Sequence, residues 1–100
     1  LSNKSVLKFL DVSQNSFSNI DVTNNSLLET LNISNNTINE LNVSSLNSLS
    51  TLLCSTNNIA SLDVTNNIKL IKLDIQDNKI DKLSLDTNTL LIELSKMFLC

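Results

Sequence analysis

A single solenoid of parallel coils is the fold class this sequence predicts, and three observations carry it. Leucine returns every twenty-one residues, at Leu7, Leu28, Leu49, Leu70 and Leu91. Inside that period a phrase of the form L-x-V-x-x-N recurs at alternating steps of ten and eleven: LDVSQN, IDVTNN, LNISNN, LNVSSL, LLCSTN, LDVTNN, LDIQDN and LSLDTN. Gly and Pro, the usual corner residues, are both absent, and Asn stands where corners are needed. A fixed period of this length marks stacked coils, each unable to bury its apolar side until the next lies against it.

The frame never slips from Leu7 onward, and Leu1 already falls in the column of Val22, Val43, Val64 and Leu85, so the sequence opens in mid-coil. Residues 1–94 are expected to form four to five coils, and residues 95–100 an irregular end or truncated coil. Each phrase alternates apolar and polar residues, with β-branched residues in third place, which is the pattern of a strand with one buried face. Two short strands per coil are therefore expected, giving two parallel sheets. The gap between phrases is too short for a helix.

From the first strand Leu10, Leu31, Leu52, Leu73 and Leu94, with Val12, Ile33, Cys54 and Ile75, are expected inside. From the second come Ile20, Leu41, Leu62 and Leu83, with Val22, Val43, Val64 and Leu85; Phe17, Ile38, Ile59 and Ile80 close the coil between the two. Stacked coils place each outward side chain about 4.8 Å from its column neighbours, so like charges on successive coils would repel. The outward columns Asp11, Asn32, Leu53, Asp74 and Asp21, Asn42, Asp63, Ser84 never set two acids on adjacent coils.

Asn15, Asn36, Asn57 and Asn78 recur at the corner after the first strand, where an inward amide can bridge its own coil to a neighbour. This asparagine ladder is structural. Asn tolerates left-handed backbone angles and thus replaces Gly at the corners. A second row, Asn25, Asn67 and Asn88, is broken by Leu46, which predicts an irregular corner in that repeat.

The net charge is −3, only three residues are aromatic, and no Lys or Arg lies between Phe9 and Ile68. Such a surface does not neutralise phosphates or stack bases, which argues against nucleic acid as a partner. No apolar run approaches the roughly 20 residues of a membrane span. With no His, no paired C-x-x-C and no phosphate-cradling Gly loop, the sequence predicts no enzyme, no metal and no cofactor. Cys54 and Cys100 stand two coils apart, near 10 Å, beyond the roughly 7 Å reach of a disulfide, so both are expected as free thiols. Sequons occur at Asn3, Asn24, Asn32, Asn35 and Asn42, candidate glycosylation sites if the chain passes through a secretory pathway of eukaryotic type.

The unit LSTLLCSTNNIASLDVTNNIK resembles the twenty-one-residue leucine-rich repeat of bacterial surface proteins of the internalin J class. Leu49, Leu52, Cys54, Asn57, Ile59, Leu62, Asp63, Val64 and Asn67 carry the likeness. The chain departs in the column where that class stacks cysteines, here Val12, Ile33, Cys54, Ile75 and Lys96. The resemblance implies a curved solenoid on a cell surface that recognises protein or glycan ligands through its strand face. On that face Phe9 and Leu53 are the large apolar residues among polar ones, so Phe9, Asp11, Asn32, Leu53 and Asp74 are the candidate ligand-binding residues. The alternatives are a structural segment that self-associates end to end and, on fold grounds, a β-helix of the polysaccharide-binding kind.

Overall fold

The computed structural model describes residues 6–95, so Leu1, Asn3, Lys96 and Cys100 lie outside the described residues. Five three-residue strands are present, β1 (Phe9–Asp11), β2 (Thr30–Asn32), β3 (Thr51–Leu53), β4 (Lys72–Asp74) and β5 (Glu93–Ser95). They form one parallel sheet in chain order. Register follows the repeat without a slip: Leu10 pairs with Leu31, Leu31 with Leu52, Leu52 with Leu73 and Leu73 with Leu94. The fold class is thus the expected solenoid, with one coil per repeat. The expected boundary after Leu94 is not seen among the described residues, where Ser95 is still part of β5.

The core is aliphatic and columnar. Leu28, Leu49 and Leu70, Leu31, Leu52 and Leu73, and Ile33 and Cys54 are fully buried, and Ile38, Ile59 and Ile80 fill the corner between phrases. Leu10, Val12, Ile20, Leu83, Leu85 and Leu94 pack against this core from the first and last coils, and are only partly buried. Phe17, expected in the core, is 44% exposed. Among the described residues only the coil of Ile38 packs against it, and a solenoid column buries fully only between two coils.

No second sheet forms among the described residues. The second phrase makes no backbone ladder to its neighbours: its N–H groups bond locally, while carbonyls such as those of Thr23 and Thr65 accept from the Ser45 and Thr87 hydroxyls of the next coil at 2.8 Å. Thr23 and Thr65 donate their N–H to the side chains of Asp21 and Asp63. Asn25 and Asn67 donate theirs to the carbonyls of Val22 and Val64 at 3.0 Å. Alternation of apolar and polar residues does not distinguish a strand from an extended chain bonded to its own turns.

The corner of Leu46 is regular, contrary to expectation. Leu46 N–H donates to the Val43 carbonyl at 3.0 Å, and the Leu46 carbonyl accepts from Leu49 N–H at 3.2 Å, as Asn67 does with Val64 and Leu70. Its side chain is fully buried in the slot the amides use. Leu and Asn have the same branched outline, so the slot reads shape before polarity.

Left-handed backbone occurs once per coil, at Gln14 (φ 58°), Asn35 (φ 60°), Thr56 (φ 57°) and Asp77 (φ 56°). Only one of these is Asn, so the ladder asparagines do not supply the Gly-like angles; the residues before them do.

Candidate binding face

Alternation within each strand turns the central Leu inward and its neighbours outward. Two straight rows result on the outer face. One runs Phe9, Thr30, Thr51, Lys72, Glu93 and the other Asp11, Asn32, Leu53, Asp74, Ser95. The five candidate residues all lie on this face, Phe9 62% exposed, Asp11 exposed, and Asn32, Leu53 and Asp74 half-buried. Asp11, Asn32, Leu53 and Asp74 come together as one row, whereas Phe9 stands in the other row, two strands or roughly 10 Å from Leu53.

The polar members of that row are not free arms. The Asp11 carboxylate accepts from the Ser13 hydroxyl at 2.7 Å and the Ser13 N–H at 3.0 Å. Asn32 accepts from Ser34 N–H at 3.1 Å, and Asp74 from the N–H and side-chain amide of Gln76 at 3.2 and 3.3 Å. Each closes an Asx turn where the chain leaves the sheet. The same device recurs in the second phrase at Asp21–Thr23, Asn42–Ser44 and Asp63–Thr65. Hydroxyl donation first, then the backbone N–H, holds the carboxyls of Asp11, Asp21 and Asp63 below the ordinary aspartate value. The spacing D/N-x-S/T marks these turns in the sequence, except the one that Asp74 makes with Gln76.

Asn36, Asn57 and Asn78 each bridge their own coil to its neighbours, whereas Asn15 does not. Asn57 donates its amide to the carbonyls of Ile33 in the preceding coil (2.9 Å) and Cys54 in its own (3.1 Å), while its oxygen accepts from Ile38 N–H at 3.1 Å. Asn36 joins Val12, Ile33 and Phe17 in the same way, and Asn78 joins Cys54, Ile75 and Ile59. Asn15 is exposed and donates to the carbonyls of Val12 and Ser13.

Of the sequons, Asn24, Asn35 and Asn42 are exposed and Asn32 is half-buried. The oxygens of Asn32 and Asn42 are engaged by Ser34 and Ser44 of their own sequons. On the side away from the sheet lies a groove of about 500 Å³, lined by Asn19, Asp21, Glu40, Asn42 and Ser61 among others. The sequence offered no signal for it, because it forms between the second phrases of successive coils.

No family model matches the chain, and no curated protein matches it in sequence. Solved structures do. The functional domain of InlJ from Listeria monocytogenes, which includes a cysteine ladder, superposes with a TM-score of 0.89 and 27% identity, over 96% of this chain and 26% of that one. Internalin C2 of the same organism gives 0.92 and 27%, over 96% and 44%. A leucine-rich-repeat protein of Leptospira interrogans gives 0.85 and 30%, over 91% and 25%. The chain is an internalin-like leucine-rich-repeat solenoid. It spans between a quarter and a half of the length of these structures.

In the internalin-like solenoid Cys54 is a free, buried thiol between Ile33 and Ile75, its pKa pushed up to about 12, by burial first and the Asp74 charge second. Such a thiol is a small apolar residue, not a nucleophile. Among the described residues no group of three or more His, Cys, Asp or Glu is placed to hold a metal ion, and no helix is long and apolar enough to cross a membrane.

Proposed function

We propose that the chain is an extracellular recognition module that docks a protein ligand across the outer face of its five-stranded sheet. The observation that carries this reading is the pair of straight rows on that face, polar except for Phe9 and Leu53. A field of polar side chains with two apolar anchors suits a protein surface, where burial of a few apolar groups dominates affinity. A glycan-binding role is the lesser reading, since sugar rings favour aromatic platforms and the chain has three aromatic residues, with Phe9 on this face. Cell-surface placement is supported by the likeness to internalins. Glycans at Asn24 and Asn35, both exposed, are compatible with it.

The test is a pull-down and affinity series on the natural ligand. Phe9→Ala and Leu53→Ser should each weaken binding by more than about 1 kcal/mol with the thermal midpoint nearly unchanged, while Asn19→Ala in the groove leaves affinity intact. Loss of binding in the Asn19 variant alone would move the site to the groove.

A further inference from the structure

The groove on the side away from the sheet has no part in a contact made across the outer face. Two ridges bound it. Asn19, Glu40 and Ser61 follow one another at the coil spacing along one side, Asp21 and Asn42 along the other, and Ile20 and Leu41 form the floor between them. Its volume of about 500 Å³ falls within the roughly 300–1,000 Å³ of sites that take small ligands.

The groove is rich in acceptors that nothing in the chain uses. The side chains of Asn19, Glu40 and Ser61 make no hydrogen bond or ion pair among the described residues, and the carbonyls of Asn19, Ile20, Glu40 and Leu41 accept none there. Both donors that reach the Asp21 carboxylate, the N–H and the hydroxyl of Thr23, bond to Oδ1, so the carboxylate is fixed in place with Oδ2 left over. Asp21 and Glu40 are exposed and carry charge of the same sign, and no Lys or Arg lies between Phe9 and Ile68 to offset them. The ridge that starts at Asn19 reaches a cation only at Lys82, one coil beyond the groove. A cleft lined by one sign of charge focuses its field and concentrates the opposite charge.

We propose that this groove takes an arginine side chain carried on an extended segment of a partner protein, at a site separate from the outer face of the sheet. A guanidinium has five donors and no acceptor, which complements walls of unused acceptors. Its planar fork can give two N–H groups to the Glu40 carboxylate and turn a third toward Asp21, while the methylene stem lies on Ile20 and Leu41. A lysine ammonium supplies the charge without the fork. The chain has no arginine of its own, so a second copy does not supply the occupant.

The experiment is a titration of the nitrogen-15-labelled chain with a short acetylated and amidated peptide that carries one arginine among alanines, followed by amide chemical shifts. The amides of Asn19, Asp21, Glu40 and Asn42 should move with a dissociation constant of about 1 mM or below, while those of Thr30, Thr51 and Leu53 on the outer face stay in place. Citrulline in the same peptide, which keeps the shape and loses the charge, should bind about tenfold more weakly, and lysine about threefold. Glu40→Gln and Asp21→Asn should each weaken the arginine peptide about threefold or more with an unchanged circular dichroism spectrum, since the Asp21→Asn change keeps a turn that Asn42 already makes. Phe9→Ala and Leu53→Ser should leave it unaltered, which separates failure of this site from failure of the outer face. Shifts confined to the outer face, no shifts by about 10 mM peptide, equal binding of citrulline or lysine, or full affinity in the Glu40 variant would each overturn the proposal.

Discussion

Thr56 is the residue under most local stress. A β-branched side chain at φ 57° crowds the following carbonyl, whereas Asn35 meets nearly the same angle with a residue that tolerates it. Thr56→Asn should raise stability by about 1 kcal/mol, read as a higher urea midpoint at constant slope, and the same change at exposed Thr37 should not. The Asx-turn carboxyls act with pH. Asp11, Asp21 and Asp63 are held below their ordinary value, so their contribution is present above that value and is lost as pH falls through the folded one. Stability should hold from neutral pH down to about 5 and decline below about 4. Asp63→Asn should remove part of the decline while keeping the turn, because Asn42 makes that turn in the same column. A urea midpoint that falls equally in both proteins would deny the turn its role.

At the scale of the coil, the two asparagine columns look alike in sequence and differ in what depends on them. Asn57 accepts the N–H of Ile38, a buried donor that the Asn57 oxygen satisfies across the coil boundary. Asn67 donates to the carbonyls of Val43 and Leu46, but these also accept backbone N–H groups from Leu46 and Leu49, and its own buried oxygen has no partner. Removing Asn57 orphans a donor, while removing Asn67 does not. Asn57→Leu should therefore cost on the order of 3 kcal/mol, and Asn67→Leu about 1 kcal/mol or less, as Leu46 already illustrates. Asn58→Leu, on the exposed side, should be nearly neutral. Denaturation midpoints of the three variants decide it, and equal losses at Asn57 and Asn67 would erase the distinction.

Across the molecule, the inner coils are buried by their neighbours on both sides, so opening the core requires separating coils. Cys54 lies in the third coil with its thiol fully buried and its pKa pushed up to about 12. It should resist iodoacetamide in the native protein, and peptide mapping should find it labelled only at the urea concentration where circular dichroism reports unfolding. Labelling well before that point would mean that the third coil opens separately from its neighbours, as repeat arrays of weak cooperativity do.

The sequence by itself determined the period, the register, the aliphatic columns and the first asparagine ladder. Each of these is a property of a repeated unit, and stacking identical units leaves one arrangement that buries Leu31, Leu52 and Leu73 together. It did not determine that the second phrase would bond to its own turns, because Asp21 with Thr23 and Asp63 with Thr65 satisfy locally the donors a sheet would need. Nor did it determine the exposure of Phe17, the regular corner at Leu46, or the left-handed angle at Thr56. Those depend on how many coils cover a residue, on the shape of a slot, and on where the chain must turn, and all three are decided only when the coils are stacked.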